Sequence, residues 1–597
     1  MIYKDIYPII DENLTDSNVG ARKGRNIRNN CFIVNSVIHE TNSSKSKSNP
    51  VDFLILDYRQ CFDGMSLEIT TNDLYNVGVR DDKLNLLHKS DKRNNVAVKT
   101  PCGLTERIPV DDAVAQGDVN APVKCTVQVD SISEEQAINL KGHLYKYKNK
   151  VEIPPLGQID DQLIMANCGL DSALASSHVN AMTNLKTLQF GAEKCVKLHV
   201  GTDKKICPDN QLDTWTLKGS SHDVKSILDL EDVESDKHVM ETKSSWTYLG
   251  DVLQDNGKND LNIQNRIKRG AGAKKQVTDM LEDLTLGDYY FEGAMILRAS
   301  LFLSSLISNS ESWVNLSKKN VTDLETVDEQ LLRKILSAHP KTPIELLYLE
   351  LGAIPVRFVL MSRRINFLWY LLHDKEGSLL KNFFQAQCEQ PIRGDWVSTV
   401  KQDLSELGIN MSFKDIEITT KEGFKELVKQ KVKEAALNYL KMLQKTHSKA
   451  KNLNYSELSL QQYLKSGTSK MTIKEKCFAF AARSRTIDVK CNKLWGQKNL
   501  RCRLGCDEEE NQAHLLQCKA IAGSEIVKDV PKYEDIYMND VPKIETILKI
   551  LNQKFNLLKE TFDKNQVHSP IQACAASAPS INIYVPNVNV NTADELD

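Results

Sequence analysis

The stretch Pro154-Pro155-Leu156-Gly157-Gln158-Ile159-Asp160-Asp161-Gln162-Leu163-Ile164-Met165-Ala166 decides how the rest of the chain is read. Two adjacent carboxylates stand between a turn-prone Pro/Gly segment and an apolar run too short for a helix. That pattern predicts a tight β-hairpin with Asp160 and Asp161 at its tip. Side chains alternate faces along a strand, so both carboxylates point one way only if the turn bends them. Such a pair repels itself and disfavours burial, whereas hard cations such as Mg²⁺ seek carboxylate oxygens. Alone, an Asp-Asp dipeptide reads first as a solvated turn, and the chain has two others, Asp81-Asp82 and Asp111-Asp112.

The flanking sequence changes that reading. Upstream lies Val51-Asp52-Phe53-Leu54-Ile55-Leu56-Asp57-Tyr58-Arg59-Gln60-Cys61-Phe62-Asp63. Its run from Phe53 to Leu56 reads as a buried strand with Asp57 at its end. Between the two comes a glycine-centred loop, Ala115-Gln116-Gly117-Asp118. After them a helix is expected over Asp171 to Leu188, with Leu174, Met182, Leu185 and Leu188 on one side, leading into Gly191-Ala192-Glu193-Lys194.

In this order, the strand-ending Asp, Gln-Gly loop, Asp-Asp hairpin and Gly-x-x-Lys segment resemble the palm of reverse transcriptases. More closely, the chain resembles the polymerase protein of non-long-terminal-repeat (LINE-type) retrotransposons, over at least Ser17 to Gly250 and more loosely to Cys518. The resemblance implies an α+β fold: a right-hand polymerase palm with partial fingers, then a helical thumb and connection region and a small zinc-binding module. It implies an RNA-directed DNA polymerase whose partners are an RNA template, a DNA primer and deoxynucleoside triphosphates. Two Mg²⁺ ions would be bridged by Asp57 and Asp160, with Asp161 a weaker or indirect ligand. Lys194 would be the catalytic cation near the departing pyrophosphate, and Phe62 the ring that excludes a 2′-hydroxyl. Gln116 and Gly117 would lie against the template-base pair.

Asp16 to Arg28 packs four cations with two glycines, and it resembles the fingers loop, which would place Arg22 and Arg25 on phosphate. Two positions depart from the family pattern. Gln158 stands where an aromatic residue is common, and Asp118 adds negative charge near the expected phosphates. Only 56 residues precede Asp57, fewer than the family carries there, so an N-terminally truncated copy is expected. The alternative to the enzyme is a catalytically inactive nucleic-acid-binding remnant.

At 597 residues the chain is too long for one core. With 41% hydrophobic and 26% charged residues it has a globular composition, and its net charge of −2 makes any argument for nucleic acid a local one. No signal-peptide pattern opens the chain. The greasy region Tyr289 to Ile307 is interrupted by Glu292, Gly293 and Arg298 and reads as a buried helix, not a membrane span. The 14 cysteines, scattered apart from one late group, suit a reducing, intracellular setting, nucleus and/or cytoplasm.

The expected divisions are partial fingers 1–50, palm 51–201, an insertion with primer-grip-like strands 202–260 and a helical thumb and connection 261–400. A basic helical region 401–500, a zinc module 501–520, a short helical region 521–565 and a disordered tail 566–597 complete the chain. Within 202–260, Trp246 to Leu253 reads as a strand pair. Leu261 to Asp283 reads as a helix with Ile263, Ile267, Val277 and Met280 on one face and Arg266, Lys268, Arg269, Lys274 and Lys275 largely on others. Gly270-Ala271-Gly272 in its middle permits close backbone approach, as a thumb helix along a duplex needs. Residues 421 to 501 hold nineteen Lys and Arg against six Asp and Glu, for which a phosphate backbone is the natural partner. Finally, Cys502, Cys506, His514 and Cys518, spaced C-x3-C-x7-H-x3-C, offer the four ligands of a structural Zn²⁺.

Overall fold

Every residue of Val51–Leu56 is buried, and this run is the middle strand of the central sheet. The computed structural model describes residues 2–43, 50–92, 95–109, 114, 118–201, 211–217, 233–283, 287–448, 450, 452–492, 500–518 and 532–566. They divide into two compact units, Met1–Phe480 and Ala481–Asp597.

The first unit opens with helices α1, Ile2–Asn13, and α2, Ile27–Asn42, the latter capped by the Asn26 side chain. Strand β1 is Val51–Leu56, and helix α3 is Ala121–Asn139. Strands β2, Leu156–Gln158, and β3, Asp161–Asn167, form the hairpin. Helix α4, Leu170–Leu185, follows, then strands β4, Val196–Val200, and β5, Glu241–Lys243. The sheet order is β5-β4-β1-β3-β2, with β1 antiparallel to both neighbours.

Strand alternation sorts the sheet's two faces. Leu54, Leu56, Ile164 and Ala166 join Cys125 and Val129 of α3 and Ala175 and Val179 of α4 in one apolar cluster. Phe53, Ile55, Leu163 and Met165 therefore turn to the opposite face. Helix α4 buries Ser172, Ala175, Ser176, Val179, Asn180 and Thr183. The expected apolar side is packed in part: Met182 and Leu188 join the cluster beneath the sheet, whereas Leu174 and Leu185 are exposed.

Within the 202–245 segment, Gln211–Leu217 and Val233–Val239 pair antiparallel. Strands β6, Ser245–Tyr248, and β7, Asp251–Gln254, pair through a turn in which Leu249 and Gly250 both have positive φ. Helix α5, Asp260–Asp283, departs from its expected faces. Arg266 is 1% exposed and ion-paired with the buried Asp251, whereas Met280 is exposed. A Cβ on Gly270 would lie 2.6 Å from the Leu306 side chain, so this glycine serves packing of α5 on Leu303–Leu306.

The region Tyr289 to Ile307 is a broken helix with a π-helical turn at Arg298–Phe302. Buried Arg298 bonds Asp328 bidentately at 2.7 and 2.6 Å. No helix among the described residues is long and apolar enough to cross a membrane. Helices α6, Lys318–Ile335, and α7, Val356–Leu372, continue the helical body. Helix α8, Lys421–Thr446, buries Phe424, Val428, Val432, Ala436 and Leu440, one residue per turn, and packs on α7. The basic stretch is not uniformly exposed, since Lys476 is buried and bonds Asp288 at 2.6 Å.

In the second unit, buried Arg483 donates to the carbonyls of Ile536 and Met538. Helix α9, Gln512–Gln517, carries His514, and helix α10 is Val541–Gln566. The tail expected to be disordered lies, from residue 567 on, outside the described residues.

Candidate active site

The β2–β3 hairpin is as tight as the sequence predicts. Gln158 pairs with Asp161, leaving Ile159 and Asp160 as a two-residue turn. Ile159 takes φ +58°, a conformation β-branched residues rarely adopt. The turn is held from outside by the segment Ser17–Gly20. Val19 N donates to Gly157 O at 3.0 Å and Gly157 N to Ser17 O at 3.1 Å, extending the free edge of β2. A Cβ on Gly20 would fall 2.3 Å from the Ile159 backbone nitrogen, so only glycine permits this approach.

Strands β1 and β3 pair with Leu56 opposite Gln162. Asp57 directly follows Leu56 and Asp161 directly precedes Gln162, so by alternation both side chains start from the face turned away from α3 and α4. The turn residue Asp160 stands beside them, close enough that Asp57 and Lys194 both act on its carboxyl. Beyond Leu56 the chain runs beside Gln189–Gly191. Arg59 N donates to Gln189 O at 2.8 Å, and Gly191 N donates to Asp57 O at 2.9 Å. This brings Lys194 Nζ to 3.4 Å from Asp57 Oδ1. A cavity of about 270 Å³ is lined by Asp57, Asp161 and Lys194 together with Trp246, Thr247 and Tyr248 of β6.

Burial, then the neighbouring Asp160 and Asp57 carboxylates, push the Asp161 carboxyl up to about 6. Asp160 is also raised, by burial first and by Asp57, with its own backbone amide and Lys194 acting in the opposite direction. Asp57 Oδ1 is buried and accepts no hydrogen bond. Three carboxylates set against one lysine leave negative charge in excess, which fits a divalent cation. The aspartates are spaced more widely than a single shared ion requires. Among the described residues, three or more potential metal donors come within 4.8 Å of one another in two groups, Cys502/Cys506/His514/Cys518 and Asp52/Cys168/His199.

Other expected site residues lie elsewhere. Arg22 is bonded to the Asp11 side chain and backbone oxygens, both at 2.7 Å, and to the Asn18 carbonyl at 3.1 Å. Arg25 pairs with Asp16 at 2.9 Å and Asp374 at 3.4 Å. Both guanidinium groups therefore have internal partners. Together with exposed Lys23 and Gln158 they line a cavity of about 640 Å³. Phe62 is partly buried against the apolar cluster beneath the sheet. Gln116 and Gly117 lie outside the described residues. The charge of Asp118 is countered by Lys124, 3.8 Å away, which is itself buried and bonded to Asp91 at 2.7 Å.

In the second unit the four late ligands come together. Cys506 Sγ lies 3.1 Å from His514 Nε2 and 3.7 Å from Cys518 Sγ, and Cys502 Sγ lies 4.0 Å from Cys518 Sγ. A tetrahedral Zn²⁺ with ligands at about 2.0–2.3 Å needs donors about 3.3–3.8 Å apart, so the set fits that ion. Gly505, at φ +86°, makes the turn between the first two cysteines. The Asn511 side chain caps α9, accepting from the His514 backbone N–H. Burial and the adjacent Cys506 and Cys518 thiols push the Cys502 thiol up to about 12, a cost a bound cation would reverse. Cys168 of the other group is disulfide-bonded and offers no free thiolate there.

Sequence reasoning missed Gly20 and Glu508. Glu508 accepts from His514 Nδ1 at 2.8 Å, which orients the imidazole toward Cys506. A carboxylate shortly before the histidine was the available signal, weak among the neighbouring Asp507, Glu509 and Glu510. For Gly20 there was none, because the requirement comes from Ile159.

No model of a known protein family matches the chain, and no curated protein does. Among solved structures it is similar to apo telomerase from Candida tropicalis, with 11% identity over 72% of this chain and 60% of that one and a TM-score of 0.32. Telomerase from the same organism in complex with the TWJ fragment of telomeric RNA gives 10% identity, 64% and 56% coverage and a TM-score of 0.30. The corresponding complex from Candida albicans gives 11%, 65%, 58% and 0.27. The chain spans between 56% and 60% of the length of these structures, and similarity at this level assigns it to no family.

Proposed function

We propose that the chain is an RNA-directed DNA polymerase of retrotransposon (LINE-type) origin, which adds deoxynucleotides to a primer 3′ end on an RNA template. The observation that carries this reading is the cavity shared by Asp57, Asp161 and Lys194, with Lys194 Nζ 3.4 Å from Asp57 Oδ1. Asp57, Asp161 and Asp160 would hold two Mg²⁺ ions, which when bound stabilise charge on the attacking 3′ oxygen and the departing pyrophosphate. Lys194, at the edge of the cleft, supplies positive charge and a proton for the leaving group. Trp246 and Tyr248 of β6 wall the side on which a primer end would rest. The part of the Phe62 ring left outside the apolar cluster would exclude a 2′-hydroxyl by volume, and Gln116 and Gly117 would contact the template-base pair.

With Arg22 and Arg25 internally bonded, Lys23 is the cation of that loop left facing solvent for triphosphate. The exposed lysines of α8 and the rest of the basic stretch take the nucleic-acid backbone, with binding that weakens as salt rises. Cys502, Cys506, His514 and Cys518 hold a structural Zn²⁺.

Primer extension on an RNA template with Mg²⁺ tests the reading. Asp57→Asn and Asp161→Asn should abolish extension while leaving primer–template binding intact, since a neutral amide does not replace a carboxylate between dications. Extension undiminished in both variants would falsify it. The occupation of Arg22 and Arg25 favours a second reading, a remnant that binds primer–template without extending it; its signature is tight, salt-dependent binding with no Mg²⁺-dependent product.

A further inference from the structure

We propose that Tyr58 and Gln162 form a positioning pair that fixes the spacing of the two carboxylate-bearing strand ends for divalent cations. The inference rests on the polymerase reading of Asp57 and Asp161. Tyr58 and Gln162 each directly follow one of those aspartates. Because side chains alternate, both turn away from the cleft into the layer beneath the sheet, where Ile164 and Ala166 of the same strand meet the apolar cluster. Gln162 is fully buried there and Tyr58 is 3% exposed.

A primary amide in such a place is costly unless its polar atoms are met. Here they are. The Tyr58 hydroxyl donates to Gln162 Oε1 at 3.2 Å, and Gln162 Nε2 donates to Ser133 Oγ at 2.9 Å and Gln136 Oε1 at 3.3 Å. Ser133 Oγ in turn donates to Val129 O at 3.1 Å. The Tyr58 ring also stacks on Phe190 at 4.8 Å, on the segment that leads to Lys194. One buried network thus ties the end of β1, the start of β3 and the approach to Lys194 to helix α3. A leucine at position 162 would fill the same space but restrain only volume. Directional hydrogen bonds restrain rotation and register as well, and so set where the two carboxylates point.

The test is Mn²⁺ binding to the full-length chain, followed by electron paramagnetic resonance. Mn²⁺ is a hard-cation probe that suits carboxylates and not thiolates. The unmodified chain is compared with Tyr58→Phe, Gln162→Met and the double variant, with thermal melts identifying folded samples. Each single change should weaken Mn²⁺ binding about tenfold. The double variant should be no weaker than Gln162→Met alone, because that change already removes the acceptor of the Tyr58 hydroxyl. Unchanged affinity in folded variants, or losses that multiply in the double variant, overturns the inference and leaves the polymerase reading standing. Absence of Mn²⁺ binding by the unmodified chain overturns both. Should Gln162→Met fail to fold, Tyr58→Phe, which removes one oxygen atom, decides the outcome by the same criterion.

Discussion

Lys194 Nζ lies 3.4 Å from Asp57 Oδ1, joining the Gly-x-x-Lys segment to the strand-ending aspartate. Lys194 is 61% exposed, so the pair contributes at most about 1 kcal/mol to stability. Its consequence is local potential, since Lys194 draws the Asp160 carboxyl downward against burial. Lys194→Met should therefore leave the melting temperature nearly unchanged and strengthen Mn²⁺ binding by removing a competing cation. Single-turnover extension should fall by about 10²–10⁴ if Lys194 is the proton donor. A variant that extends at the wild-type rate removes Lys194 from the chemistry.

The raised Asp161 carboxyl predicts a pH dependence of defined sign. With a folded value of about 6 against an ordinary 3.8, the folded chain binds a proton more tightly than the unfolded one. Its contribution to stability is complete below pH 3.8 and lost as pH rises to about 6, on the order of 2–3 kcal/mol. Divalent cations bind the ionised form, so their affinity should rise over the same window and level off above it. Asp161→Asn should flatten the metal-free stability curve between pH 4 and 6, as measured by urea unfolding. An unaltered slope would show that Asp161 does not titrate there.

Gly20→Ala places a methyl group 2.3 Å from the Ile159 backbone nitrogen, with no flexible side chain to yield. The segment Ser17–Gly20 must then shift off the edge of β2, at a cost of about 1–3 kcal/mol. Because the same segment steadies the turn that carries Asp160, Mn²⁺ affinity should fall alongside stability. Gly24→Ala is the comparison: its Cβ would meet nothing within 4 Å, although its φ of +81° adds backbone strain. Equal metal affinity in Gly20→Ala and the unmodified chain would separate the loop from the site.

Purified full-length chain should contain about one equivalent of zinc by elemental analysis, falling below half in Cys506→Ser. Glu508→Gln should retain the ion but weaken it about 10- to 100-fold in chelator competition, because His514 loses its orienting acceptor. Equal chelator resistance in that variant would confine Glu508 to a surface ion pair.

Much of this protein was legible as local pattern. The hairpin around Asp160, the strand ending at Asp57, the pair Trp246 to Leu253, the helix begun at Asp260 and the cysteine–histidine spacing are each written within a short window. Turn chemistry, side-chain alternation and ligand spacing act at that range, so the sequence by itself determined them. Only the tertiary structure decided which groups meet. Asp57, Asp160 and Asp161 act on one another's carboxyls only because β1 pairs with β3 in a register that sets Leu56 opposite Gln162. Arg22 bonds Asp11, and Arg266 lies buried against Asp251, because a partner carboxylate can hold a cation that periodicity assigns to solvent. Leu174 and Leu185 stay exposed while Met182 and Leu188 of the same expected side reach the cluster, since which part of a helix face is covered depends on the neighbours that meet it. Gln162 is polar where alternation asks for a hydrophobe, and it is accommodated because Tyr58, Ser133 and Gln136 arrive from three other places in the chain to meet its hydrogen-bonding groups.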